Sequence, residues 1–160
     1  MDIDYDNLAQ MFTSAIPHVR ELGLQVVELG DEGFTVKVDQ QARFIGDPER
    51  GVIHGGIVTV LLDTVSGGAI YLAIRRFTPI ATLDLRIDYL KPARPKTAIY
   101  AKAHCYRVTR NVAFTHGVAY QDSEDDPIAQ AAGSFMLSTG GPPLYRSGRK
   151  PAGGSGEGSA

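Results

Sequence analysis

One short string concentrates the residues that could do chemistry: Gly51-Val-Ile-His54-Gly55-Gly56, followed by an apolar run that holds Asp63. Two glycines ahead of an apolar helix leave bare backbone N–H groups at its N-terminus. There the first donors have no intrahelical partner and the dipole is positive. Without Cβ atoms, a ligand oxygen can come close. Such an end can hold the oxyanion that forms when a carbonyl is attacked. The plainer alternative is that Gly55-Gly56 only allows a tight turn into the helix. Asp63 shifts the balance, because a carboxylate among apolar residues is uncommon unless it is paired or functional. It is a candidate general base. Its plainer role would be pairing with a neighbouring hydroxyl or backbone N–H.

Spacing adds a constraint. Gly55 and Asp63 are eight residues apart, about 12 Å along a helix at ~1.5 Å per residue. Reacting groups must approach to roughly 3–3.5 Å. If both features are catalytic, Asp63 of one chain serves a carbonyl held at Gly55-Gly56 of another. The motif therefore predicts a homo-oligomer with composite sites across a two-fold interface.

The elements that must position these groups are legible from periodicity. Asn7 to Ile16 has Leu8, Met11, Phe12 and Ala15 at helical spacing, with Pro17 expected to end it. Residues 24–29 and 34–38 read as strands joined by a turn at Asp31-Glu32-Gly33, and residues 42–53 as a loop. Gly55 to about Arg76 is apolar on nearly every face, so a helix there must be wrapped. Leu83-Asp-Leu-Arg-Ile-Asp-Tyr89 alternates apolar and charged residues, as a strand with one wet face does. Residues 99–108, 112–121 and 128–137 follow as three more strands. The expected class is α+β, an antiparallel sheet curled round one long helix, which is the hotdog arrangement. After Leu137 the composition turns to Gly, Pro and Ser. The predicted division is a domain over 1–139 and a flexible tail over 140–160.

Composition excludes several classes. A formal net charge of −2 gives no general attraction to nucleic acid or anionic membranes. The acidic start lacks the basic and apolar regions of a signal peptide. The long apolar run is interrupted by Asp63, Ser66, Gly67 and Gly68, which argues against a membrane span. Cytoplasm is the simplest address. The single cysteine, Cys105, has no intrachain partner and reads as a buried, inert thiol; its neighbour His104 should point to the other face of the strand. His18, His104 and His116 fit no zinc spacing, and neither a metal nor a separate cofactor is expected.

His-Gly-Gly, an apolar stretch, Asp nine residues after the His, and the strand ending Asp84-Leu-Arg-Ile-Asp-Tyr89-Leu-Lys-Pro92-Ala together resemble the hotdog thioesterases. The nearest type is that of the phenylacetate pathway and its thioesterase-superfamily relatives, over roughly residues 20–138. The resemblance implies hydrolysis of an acyl-coenzyme A, with coenzyme A as part of the substrate, by a dimer or dimer of dimers. It gives Asp63 the role of general base or nucleophile, Gly56 that of backbone donor to the thioester carbonyl, and His54 that of shaping the turn. Thr82 falls where relatives place a hydroxyl near the attacking water; its plainer role is an ordinary strand threonine. Relatives often carry Asn or Gln shortly before the His, where this chain has Asp47-Pro48-Glu49-Arg50. In place of that amide, Asp47, Glu49 or a backbone group could serve. The resemblance also places the nucleotide end of coenzyme A along Arg107-Val-Thr-Arg110-Asn111, with Tyr89, Lys91 and Arg94 as further candidates. An alternative from another class is a non-catalytic acyl-CoA-binding or sensor protein on the same scaffold.

Overall fold

The computed structural model describes residues 5–138; the expected tail over 140–160 lies outside the described residues. Two short helices, α1 (Tyr5–Ser14) and α2 (Pro17–Leu22), lead into the hairpin β1 (Gln25–Gly30) and β2 (Gly33–Val38). A single 3₁₀ turn (Ala42–Phe44) and a small hairpin, β3 (Ile45–Asp47) and β4 (Val52–Ile53), precede the long helix α3 (Gly55–Ile74). Four strands complete the chain: β5 (Ile80–Tyr89), β6 (Ile99–Val108), β7 (Val112–Tyr120) and β8 (Ala129–Leu137).

Six strands form one antiparallel sheet in the order β1-β2-β6-β7-β8-β5, and α3 lies across its inner face. The expected α+β hotdog arrangement is present. Leu61, Leu62, Val65 and Ile70 of α3 are fully buried, against a sheet whose inner face includes Phe34, Val36, Ala101 and Phe135. The closest approach is at Gly68. A Cβ there would stand 2.5 Å from the ring of Phe34, so only glycine lets helix and sheet meet at that level. α3 is long and apolar enough to cross a membrane by length and composition, with a mean hydropathy of 1.8. Of that span, 56% is buried inside the fold.

Three local expectations are corrected. Pro17 does not close the N-terminal helical region; it starts α2, where the first turn needs no N–H from it. Gly23 caps that helix in the left-handed region, at φ 70°. Residues 42–53 are not a plain loop, because Ile45 and Ile53 pair across β3 and β4 and tie the segment to the start of α3. Finally, α3 is not covered all round. Thr59, Val60, Asp63 and Thr64 form a half-buried stripe that faces a groove.

Candidate active site

The start of α3 is organised by His54, whose extended backbone (φ −61°, ψ 130°) makes it the N-cap. Its Nδ1 accepts the Gly56 N–H at 2.9 Å, and its carbonyl accepts from the Ile57 N–H. A Cβ on Gly56 would stand 2.9 Å from that same Nδ1, so the glycine is what lets the imidazole fold back over the turn. The Gly55 N–H has no acceptor among the described residues. Tyr89, at the end of β5, closes the turn from the other side. Its hydroxyl donates to the Gly55 carbonyl (3.1 Å) and lies 2.7 Å from the Thr59 hydroxyl.

Two turns further along, Asp63 Oδ1 accepts a hydrogen bond from the Thr82 hydroxyl at 2.9 Å. Its other oxygen has no partner among the described residues. Thr82 reaches the helix because β5 carries a bulge: Thr82 pairs with Phe135 and Asp84 with Ser134, leaving Leu83 as the extra residue. Strand side chains alternate between faces, so a regular β5 that points Leu85 at the helix would turn Thr82 outward with Asp84. The extra residue shifts the phase, and Thr82 and Leu85 both face α3. Leu83 itself is 54% exposed. The strand therefore lacks the single dry face expected of it.

Asp63 and Thr82 sit on the wall of a groove of about 530 Å³ between α3, β5 and the α1–α2 corner. Apart from these two residues, Thr59, Thr64 and His18, its lining is apolar, including Phe12, Ile16, Leu85 and Phe135. Sequence reasoning singled out neither this wall nor Thr59. Thr59 had a usable signal, since it lies four residues before Asp63 and so on the same helix face. The α1–α2 wall had none, because its place depends on how the two helices pack.

The other predicted site residues fall in two places. Tyr89, Lys91 and Arg94 lie towards the α3 N-terminus, where Lys91 pairs with Asp126 and Arg94 with Asp122. Arg107, Arg110 and Asn111 lie at the β6–β7 hairpin, at the opposite end of the sheet. There the Asn111 carbonyl accepts from Leu137, the last residue of β8. Both arginines are exposed, and neither pairs with a carboxylate among the described residues. Asp47 is engaged in its own turn, accepting from the Glu49 and Arg50 N–H groups and pairing with the Arg50 guanidinium at 3.5 Å. Glu49 is exposed. His104 and His116 pair across strands on the outer face, their rings 5.8 Å apart. Cys105 is half-buried against the core, and burial pushes its thiol up from its ordinary value. That suits an inert residue. Among the described residues no cluster of three or more potential ligands could hold a metal.

A donor-bearing helix end and a hydroxyl-supported carboxylate beside an apolar groove are suited to polarising a carbonyl and activating water against it. Residues 50–128, which hold the His-Gly-Gly turn, Asp63 and Thr82, match the thioesterase superfamily. A protein of Halobacterium salinarum that carries an esterase name is 31% identical over 132 residues, 72% of this chain and 81% of its own length. The medium/long-chain acyl-CoA thioesterase YigI of Escherichia coli is 24% identical over 143 residues, 81% of this chain and 91% of that protein. A crystal structure of a Pseudomonas aeruginosa protein superposes with a TM-score of 0.73 at 46% identity, covering 81% of this chain and 96% of that one. Of the two functional classes weighed from the sequence, the enzyme is the one these relatives support. The chain belongs to the thioesterase superfamily and is a thioester hydrolase built on the hotdog fold.

Proposed function

We propose that the substrate is an acyl-coenzyme A, and that each active site is shared by two copies of the chain. The thioester carbonyl docks at the His54-Gly55-Gly56 turn of one copy. It takes the unoccupied Gly55 N–H and competes with His54 for that of Gly56. Asp63 of the second copy, steadied by Thr82, uses its unpaired oxygen to take a proton from water as the water oxygen bonds to the carbonyl carbon. The oxyanion is held by the backbone donors and the positive helix end. Its collapse breaks the C–S bond, and the proton held by Asp63 passes to the departing thiolate. The products are free acid and coenzyme A. Direct attack by Asp63, giving an anhydride that water then hydrolyses, leads to the same products.

The observation that carries this reading is the Asp63–Thr82 hydrogen bond in the groove wall. The Gly55 donor is two helical turns away on the same chain, which favours a composite site. The edge of β5 is unpaired in the single chain, so a second copy can add to it. Because the two predicted groups of coenzyme A contacts lie at opposite ends of the sheet, an antiparallel pair would offer Tyr89 and Lys91 from one copy and Arg107, Arg110 and Asn111 from the other. We place the enzyme in the cytoplasm, since more than half of the helix that could otherwise seek lipid is buried inside its own fold.

The test is thiol release from a panel of acyl-CoAs. Asp63→Asn keeps the shape and removes the base, and kcat should fall about 10²- to 10⁴-fold. Thr82→Ala should cost less, and Thr82→Ser should recover most of the loss. Wild-type turnover by Asp63→Asn would overturn the assignment.

A further inference from the structure

Asp63, Gly67 and Tyr71 recur at four-residue spacing, so they line one stripe of α3, and all three face the same groove. From Asp63 to Tyr71 the stripe runs about 12 Å. Midway, Gly67 contributes no side chain. A Cβ built there would meet Ile80 Cδ1 at 3.5 Å, ordinary contact distance, so a methyl fits but leaves less room beside the carboxylate. Tyr71 and Phe12 line the far end, their rings standing nearly edge-on with centroids 6.0 Å apart. Tyr71 turns its hydroxyl away from the groove to the Thr78 carbonyl, at 3.0 Å. Ile16 and Val19 of the α1–α2 corner complete the wall opposite the sheet. Leading away from the carboxylate towards Tyr71, the passage is lined mainly by apolar side chains, with His18 on the side of the α1–α2 corner.

We infer that this passage receives the acyl chain of the thioester, and that the missing side chain at Gly67 sets how long a linear chain it accepts. The inference rests on Asp63 being the catalytic carboxylate. In the composite site, the copy that supplies Asp63 also houses the acyl tail, and its partner holds the carbonyl oxygen. A side chain at position 67 would meet the chain a few methylenes beyond the carbonyl. Short acyl groups end before it; long ones must pass it. The presence or absence of one methylene in an apolar pocket is worth roughly 10- to 200-fold in kcat/KM.

The experiment measures kcat/KM for acetyl-, hexanoyl- and dodecanoyl-CoA with wild type, Gly67→Ala, Gly67→Leu and Asp63→Asn. Circular dichroism and thermal melting check that each variant folds; Gly67→Ala is the one whose added methyl already fits. The dodecanoyl-to-acetyl ratio should drop by about ten-fold or more in Gly67→Leu, with a smaller drop in Gly67→Ala. An unchanged ratio in both variants, with Asp63→Asn inactive, overturns the acyl passage and leaves the catalytic reading standing. Full activity of Asp63→Asn, or no wild-type hydrolysis of any of the three, overturns both.

Discussion

Asp63 and Thr82 are held together by one hydrogen bond, yet they differ in how far a sequence can reveal them. Asp63 is visible because it is the one charge in a long apolar run. Thr82 is not visible from the residues around it. Simple alternation puts it on the wet side of its strand with Asp84, and only the resemblance to a family brings it to the site. The structure supplies the reason, since a bulge at Leu83 reverses the phase just there. His54 lies between these cases. Its place before two glycines marks a turn, but the Nδ1 bond to the Gly56 N–H appears only once the backbone is folded. Cys105 gives a prediction at this scale. Burial raises its thiol, so less thiolate is present at a given pH than on an open chain. Near pH 8 iodoacetamide should modify it several-fold more slowly in the native protein than after denaturation, and the native rate should climb as pH rises. Equal rates in both states would contradict its burial.

The element scale was largely readable, and its exceptions have physical causes. Strict alternation and long apolar runs located the long helix and every strand of the main sheet to within about three residues. What periodicity could not reach were the pieces too short to show a period: α2, with six residues, and the two short strands β3 and β4. Proline at the first position of α2 and glycine just after its end were the available signals. The groove wall built from α1 and α2 depends on packing between elements, which no local pattern records. Gly68 shows how tight that packing is. Gly68→Ala brings a methyl into the buried ring of Phe34, and overpacking of this kind costs about 1–3 kcal/mol. The gain in helix propensity over glycine, roughly 1 kcal/mol, works against it. A lower denaturant midpoint at unchanged slope is expected; a midpoint equal to or above that of wild type would show that the helix and sheet can part at no cost.

For the whole molecule, the arrangement of the proposed catalytic parts argues for association. The β5 edge carries Leu83, Tyr89 and, just beyond it, Leu90, each 54% exposed, beside an unpaired row of backbone groups. Such an edge invites pairing with another strand. Sedimentation equilibrium should therefore give at least twice the mass of one chain, and a lone monomer that is fully active would contradict the shared site. The most direct measurement is complementation between two inactive variants. Asp63→Asn removes the carboxylate, and Gly56→Val puts a side chain against His54 at the proposed docking point of the carbonyl. Each should be inactive alone. When the two are co-expressed with different affinity tags and the mixed pair is isolated, one of its two sites combines an intact turn from one chain with an intact Asp63 from the other. Activity near half that of wild type is expected. If the mixed pairs form and stay inactive, turn and carboxylate work within a single chain, and the site is not shared.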